Sequence, residues 1–450
     1  MTIRREFRPM LRLGAPLVVA ELAWMAMGFV DTVMAGRLGP AALGAGSLGS
    51  MLFFPIVICG VGMLLGMDTL VAQAFGAKDL EECRRTLING LWTALGIAPL
   101  VAAVLWSTLP VVRAAGANPN VMALLGPFLT ALLPGILPLL FFAALRRYLQ
   151  AMDIARPVTF AAVSANIINF VGNWVLMYGH WGAPAMGLTG SGWSTTIARF
   201  YMAAVLAAVV IWHERKSGYA LFHLSRRPDF ERIRELLRLG GPSALQILVE
   251  GAVYSVVTVL AARLDEASLA AHSIAINVVS ITYMVPLGIS SAAAVRVGQA
   301  LGRKDRQGAA ISGWTALLLS AMCMGTFGLA LAAASRSIVR IYSHEAAVIA
   351  IGAVLLRIAA LFQLFDGFQV VAMGALRGLG DTRTPMLAHL AGYWLIGMPV
   401  SYGLCFRYGW GARGIWAGLC AALILIGASL VVVWERRMGR PGQKDHSTLV

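Results

Sequence analysis

Long apolar runs alternate with short charged segments along the whole chain. Each run has about 20 residues or more, the length that a helix needs to cross the hydrocarbon core of a bilayer. The pattern therefore predicts an all-α integral membrane protein. Its twelve predicted transmembrane helices cover residues 11–36, 46–75, 88–112, 121–145, 157–178, 186–212, 238–262, 270–298, 311–335, 346–373, 385–406 and 412–434.

Composition and charge support a membrane protein. Charged residues make up 13% of the 450-residue chain, against about 25% in soluble proteins. The net charge of +15 is concentrated, because most of the 36 lysines and arginines fall at the two termini and in every second loop. This distribution follows the positive-inside rule. We therefore expect a multi-pass protein of the bacterial inner (plasma) membrane, with both termini cytoplasmic and no nucleic-acid partner.

The chain contains two copies of one unit. Residues 12–79 align with 238–305 at a constant offset, so that "RLGAP" meets "RLGGP" and "AQAFGAKD" meets "GQALGRKD". Six helices in each copy predict two pseudo-symmetric six-helix bundles arranged as parallel repeats, a plan typical of alternating-access transporters. The predicted division is an N-terminal lobe over 1–212, a basic cytoplasmic linker over 213–237, a C-terminal lobe over 238–434 and a cytoplasmic tail over 435–450.

Asp31, Glu250 and Asp366 are carboxylates inside apolar spans. A charged residue at the bilayer centre costs about 2.5–3.5 kcal/mol on insertion scales and almost always faces an interior or a wet cavity. Glu250 aligns with Trp24, which lies seven residues, or about two turns, from Asp31 on the same helix face. We therefore expect these acids to face one shared cleft and to couple transport to protons or cations.

Polar residues also recur at helical period within several spans, which indicates helix faces that point into a bundle. Two interpretations stay open for the amides, because membrane helices use amides routinely as interhelical contacts as well as in binding sites. We predict that they line a polar cavity for substrate. The predicted cavity residues are Asn166, Asn169, Asn173, Gln246, Tyr254, Gln363 and Gln369.

Two prolines fall inside predicted spans, Pro55 in the second and Pro286 in the eighth. A proline removes a helical hydrogen bond and kinks the helix, so both are hinge candidates as well as ordinary kinks. The five cysteines have no metal or disulfide spacing, and the sequence contains no HExxH, GxSxG or Walker motif. We expect no enzyme activity and no cofactor beyond a coupling ion, sodium or protons.

Several motifs together resemble one known family. The stretches "FVDTVMAGRLG", "AAHSIAIN" and "RGLGDTRTPM", with "GAKD" and "GRKD" after the second and eighth helices, are similar to the NorM-like bacterial branch of the multidrug and toxic compound extrusion (MATE) family. The resemblance runs through all twelve helices. It implies two six-helix bundles that form a V-shaped cleft. It also implies efflux of cationic amphiphilic drugs and dyes in exchange for sodium or protons, by a protein that we expect to be a monomer.

The resemblance also implies roles for individual residues. Asp31, Asn169 and Asn173 resemble a proton- or cation-responsive cluster of the N-terminal lobe. Glu250 and Asp366 resemble the cation site of the C-terminal lobe, which makes them the candidate sodium site.

This chain departs from the family pattern at two positions. Phe362 and Ser273 stand where NorM-like members often carry Tyr and Gln, which favours proton coupling over sodium coupling.

Three other classes of protein stay open. A lipid-linked precursor flippase of the same superfamily would share the two-lobe plan, but we expect it to line its cleft with arginines for an anionic pyrophosphate. A small-metabolite facilitator also has six plus six helices, and a membrane enzyme would need a catalytic motif. We expect the interior between the helices to contain more acids than bases, which favours cationic cargo.

Overall fold

Helices form almost the whole of the described structure. The computed structural model describes residues 3–116, 118–216 and 227–439, and these residues contain no β-strand. The α-helices are α1 (Ile3–Gly36), α2 (Pro40–Met63), α3 (Gly66–Gly76), α4 (Leu80–Ala114), α5 (Pro119–Leu132), α6 (Ile136–Ala151), α7 (Arg156–Tyr178), α8 (Leu188–Lys216), α9 (Phe230–Ala261), α10 (Glu266–Gly302), α11 (Arg306–Tyr342), α12 (Ala346–Gly378), α13 (Arg383–His389), α14 (Met398–Tyr402) and α15 (Ala412–Met438).

Eleven helical stretches of the described residues are long and apolar enough to cross a membrane, where α2 with α3 and α5 with α6 each count as one stretch. The remaining predicted span, 385–406, corresponds to a helical run that is divided into short pieces. α13 and α14 are joined by the π-helical segment Leu390–Gly397 and followed by a second, Gly403–Arg407. With this run each half of the chain supplies six spans, which confirms the predicted all-α fold class.

The repeated Lys-Asp pairs mark the same turn in both halves. Lys78 and Lys304 adopt left-handed backbone angles, with φ of 64° and 60°. Asp79 and Asp305 then cap α4 and α11, because each carboxylate accepts the backbone N–H three residues further on, at 2.9 and 2.7 Å. Such caps satisfy backbone donors that a helix start leaves unpaired. The sequence repeat is therefore a repeat of local structure.

Contacts between Cα atoms divide the chain into two compact units. The C-terminal unit contains the chain from Leu245 onward together with the segment up to Val18 and Gly76–Lys78, and the N-terminal unit contains Val19–Phe75 and Asp79–Ala244. This division falls inside α1 and α9. The predicted lobe boundaries at 212 and 238 stay a prediction, and residues 217–226 of the linker and 440–450 of the tail lie outside the described residues.

Close helix crossings explain where the units divide. In the C-terminal unit, a Cβ added to Gly288 of α10 would lie 2.6 Å from the backbone N of Val18 in α1. In the N-terminal unit, a Cβ added to Gly62 of α2 would lie 2.7 Å from the Cα of Ala244 in α9. Glycine permits this approach because it has no side chain. The sequence repeat aligns Gly62 with Gly288 and Val18 with Ala244, so the two crossings are equivalent.

Both hinge candidates lie inside helices. Pro55 falls within α2 and Pro286 within α10, and both helices continue past the proline. The interruption of the second span comes later, at the turn of Leu64 and Leu65 between α2 and α3. The hinge role of the two prolines stays a prediction.

Candidate functional site

Asp31 of α1 is the centre of a polar cluster in the N-terminal unit. Its Oδ1 accepts a hydrogen bond from Nδ2 of Asn173 at 2.6 Å, and its Oδ2 accepts one from the hydroxyl of Thr195 at 3.2 Å. Asn169 links these two donors, since its Nδ2 donates to Thr195 and its Oδ1 accepts from Asn173. The carboxylate is therefore held by neutral donors from α7 and α8.

Helical spacing explains why these groups meet. Asn169 and Asn173 are four residues apart on α7, so both amides project from one face, and both are fully buried. Asn166, predicted for the same cavity, makes different contacts. Its Nδ2 donates to the backbone carbonyls of Ala23 and Ala162, both at 2.9 Å, so it joins α7 to α1.

A small cavity of about 50 Å³ opens beside Asp31. This volume holds about one water molecule, which occupies roughly 30 Å³ in the liquid. Hydroxyl groups dominate its polar lining: the serines and threonine that surround it are Thr32, Ser47, Ser50 and Ser191. Asp31 therefore combines fixed donors with access for a small ion or a water.

Arg199 places a cation near the same cluster. It lies on α8 one turn after Thr195 and is 7% exposed. Its guanidinium carbon lies 4.4 Å from the ring centroid of Phe53, and its Nη1 has no hydrogen-bond partner among the described residues. An arginine stacked on an aromatic face is stabilised by the ring quadrupole. Arg199 therefore contributes positive potential to the region of Asp31 without an ion pair to it.

Asp366 of α12 belongs to a second cluster, in the C-terminal unit. Its Oδ1 accepts a hydrogen bond from Nε2 of Gln369 at 2.9 Å, and Gln369 also lies 3.4 Å from the hydroxyl of Tyr393. The ring of Tyr254 lies at an angle to that of Tyr393, with centroids 6.4 Å apart. Glu250 of α9 is close enough to interact electrostatically with Asp366.

Several oxygen acceptors of α12 have no partner among the described residues. They are Oδ2 of Asp366, Oε1 of Gln363 and Oε1 of Gln369, and all three are buried. Gln363 uses its Nε2 to donate to Thr282 at 2.6 Å. A buried acceptor without a donor is costly. This group of oxygens can therefore accept a proton or a cation.

His389 was not selected by the sequence analysis, yet it lies next to Glu250. Its Nδ1 donates to the carbonyl of Pro385 at 2.7 Å, because that oxygen can only accept. Nε2 therefore faces Gln246, at 3.3 Å, and the Oε2 of Glu250, at 4.0 Å. The spacing of Pro385, His389 and Tyr393 at i, i+4 and i+8 is the signal that could have identified it.

The aromatic residue that departs from the family pattern packs into the core of the same unit. Phe362 is 2% exposed, and its ring stacks on Trp416 with centroids 6.1 Å apart. A phenyl ring offers no hydroxyl oxygen, so Phe362 adds no ligand to the oxygens of Gln363 and Asp366.

The other buried acids of the described helices are paired with arginine. Glu6 accepts two hydrogen bonds from Arg296, at 2.7 and 2.9 Å, and Asp68 pairs with Arg147 at 3.2 Å. Two further pairs join Glu214 to Arg84 and Glu21 to Arg146.

Asp31, Glu250 and Asp366 differ from those acids, since none of them forms an ion pair with Lys or Arg in the described part of the chain. Among these same residues, no group of three or more His, Cys, Asp or Glu side chains could hold a metal ion.

Comparisons with known proteins agree with this architecture. The family model described as MatE matches residues 16–175 and 242–403. A protein of Mesorhizobium japonicum named "Probable multidrug resistance protein NorM" is 37% identical over 96% of this chain and 94% of its own length. A protein of the same name from Pseudomonas putida is 36% identical over 97% of this chain and 95% of its own length.

Solved structures share the fold. The crystal structure of the eukaryotic MATE transporter AtDTX14 has a TM-score of 0.87 and 21% identity, over 97% of this chain and 98% of that one. The outward-facing structure of a multidrug resistance MATE family transporter of the MOP superfamily has a TM-score of 0.86 and 17% identity, over 96% of both chains. From the family model and the full-length relatives together, we conclude that this chain belongs to the MATE family of transporters, in its NorM-like branch.

Proposed function

We propose that the protein is a secondary active antiporter that exports cationic amphiphilic drugs and dyes in exchange for sodium or protons. It works by alternating access between its two lobes, in the bacterial inner membrane, with both termini in the cytoplasm. The relatives named as multidrug resistance proteins support a drug substrate.

The observation that carries the proposal is the difference between two sets of acids. The paired acids, such as Glu6 and Asp68, are already neutralised by arginine. Asp31, Glu250 and Asp366 hold neutral donors or a histidine instead, so each retains the capacity to bind a proton or a cation. Acids within a membrane are costly and persist where function needs them.

Two observations bear on the coupling ion. The unpartnered oxygens of Gln363, Asp366 and Gln369 suit a hard cation such as sodium, which prefers oxygen ligands. His389 beside Glu250 suits a proton, since an imidazole nitrogen can accept a proton and exchange it with a neighbouring carboxylate. Phe362 supplies no hydroxyl ligand to this set, which favours protons.

The chemistry of the three acids also favours cationic cargo. If a drug cation and the coupling ion compete for the same carboxylates, each displaces the other, which is exchange. One charge that crosses 100 mV is worth about 2.3 kcal/mol. That energy is enough to sustain a drug gradient of roughly fiftyfold.

The proposal is tested by efflux of a fluorescent cation, ethidium, from drug-sensitive cells. Efflux is measured with and without sodium, and separately with an uncoupler. We expect wild-type protein to lower cellular ethidium and Asp366→Asn to abolish this effect at equal membrane levels. Glu345→Gln, which neutralises an exposed acid just before the same helix, is the matched control.

The outcomes separate the classes of protein. Wild-type efflux that is lost in Asp366→Asn and retained in Glu345→Gln agrees with an antiporter of cations. Absence of ethidium efflux from cells with normal levels of wild-type protein contradicts the proposal and returns the flippase, facilitator and enzyme to consideration. Sensitivity to the uncoupler without sodium dependence identifies protons as the coupling ion.

A further inference from the structure

A ridge on α12 is exposed between two apolar grooves. One groove, of about 520 Å³, lies between α11 and α12, and the other, of about 830 Å³, lies between α12 and the start of α15. Ile358 and Leu361 of the ridge line both grooves, and Leu361 is 69% exposed. This face is opposite to the one that carries Asp366, which lies nine residues from Arg357, or 180° around the helix.

Each groove contains an arginine. Arg357 lines the smaller groove and Arg413 lines the larger one, and both side chains are exposed. Arg336 is also exposed and follows groove residue Ala332 by one turn of α11, on the same face. In the described part of the chain, none of these three arginines has an ion pair or a hydrogen bond to an acid.

The helix packing places the arginines at one end of the grooves. α11 and α12 run antiparallel, since Gly328 packs against Ala360 and Gly352 packs against Val339. With this register Arg357 is level with Ala332, and Arg336 lies one turn closer to the end of α11. Arg413 is the second residue of α15. All three therefore approach the same side of the membrane.

The depth of the arginines matches a lipid headgroup. α12 has 33 residues, so it is about 50 Å long, and a centred hydrocarbon core of about 30 Å begins roughly 10 Å from its start. Arg357 lies about 16 Å from that start, just inside the core. Arg336 and Arg413 lie at headgroup depth. A long basic side chain at this position extends towards the interface, where phosphate oxygens can accept its N–H groups.

We propose that this surface binds an anionic glycerophospholipid, with its phosphate among Arg336, Arg357 and Arg413 and one acyl chain in each groove. Two apolar grooves on either side of one ridge fit a lipid with two chains. The unpaired positive charges select an anionic headgroup over a zwitterionic one. The inference does not depend on which ion drives transport.

The test is native mass spectrometry of the purified full-length protein in mild detergent, titrated with phosphatidylglycerol or phosphatidylcholine of equal chain length. We expect preferential retention of phosphatidylglycerol. Arg357→Gln should reduce the ratio of retained phosphatidylglycerol to phosphatidylcholine about fivefold, and Arg336→Gln by a similar factor. Arg263→Gln, which removes an exposed arginine from the turn before α10, should leave the ratio unchanged.

A second variant tests the groove without changing charge. Ala332 is exposed and lines the smaller groove, so Ala332→Trp places a large ring in the groove and should lower retention of lipid while all arginines remain. Size-exclusion profiles and melting temperatures show that each variant is folded. Equal retention of the two lipids by wild type, or an unchanged ratio in Arg357→Gln, overturns the proposal. An effect of Arg263→Gln as large as that of Arg357→Gln also overturns it.

Discussion

Replacing His389 by Gln removes the imidazole beside Glu250. The bond from Nδ1 to Pro385 orients the ring, so a proton taken up by Nε2 points at Gln246 and at the Oε2 of Glu250, 4.0 Å away. At that separation, two opposite charges in an effective dielectric of 20 attract each other by about 4 kcal/mol. Proton uptake by His389 and ionisation of Glu250 therefore favour each other by as much as about a thousandfold.

The assay compares driving forces in proteoliposomes that contain a fluorescent cation. A pH gradient is imposed in one set and a sodium gradient in another. If His389 takes up and releases the coupling proton, His389→Gln should slow transport driven by the pH gradient by at least about tenfold. This factor is small compared with the roughly thousandfold coupling between His389 and Glu250. Transport driven by sodium should change little.

A matched control is available in His344, an exposed histidine in the turn before α12. His344→Gln should transport like wild type under both gradients. Wild-type rates for His389→Gln under the pH gradient, at equal amounts of folded protein, would refute the reasoning. An equal loss under both gradients would also refute it, because that result assigns to His389 a structural role only.

Three further predictions concern other parts of the molecule. Thr195→Val removes a hydroxyl that donates to Asp31 at 3.2 Å. A hydrogen bond to a charged group contributes about 1.5–3 kcal/mol, so ethidium efflux should fall about tenfold or more and recover in Thr195→Ser. Glu6→Gln removes the buried carboxylate that Arg296 contacts. This change should lower the free energy of unfolding by about 3–5 kcal/mol and lower the melting temperature in detergent. Hydrogen bonds at the start of α10 lower the pKa of Asp265 below its usual 3.8. The stability that Asp265 adds should therefore be complete above about pH 4 and lost below it, as melting curves against Asp265→Asn would show.

The apolar runs were sufficient to predict the spans, because hydropathy and length are local properties of the chain. The predicted span 385–406 shows where this reasoning ends. Its composition is apolar throughout, yet the run from Arg383 to Arg407 contains two π-helical segments. A π turn depends on packing rather than on residue type. Gly392 and Gly397, for example, pack closely on Ile426 and Ala422 of α15.

Individual polar contacts were harder to predict than polar faces. Asn169 and Asn173 of the α7 stripe hydrogen-bond within the Asp31 cluster, but Asn166 bonds to the backbone of α1 instead. The helical period shows which side chains share a face of the helix, but it does not identify the group that each side chain contacts. The pairing of Glu21 with Arg146 joins positions 125 residues apart, which no local pattern encodes. The roles assigned to the three unpaired acids stay predictions until they are measured.

The π-helical segment after His389 has a mechanical consequence. A π turn carries one residue more than an α turn, so conversion of such a turn to α geometry rotates the downstream helix by about 100°. Tyr393 lies in this segment, while His389 lies in the regular helix before it. A twist confined to Leu390–Gly397 would therefore turn the phenol away from Gln369 while the imidazole kept its place beside Glu250.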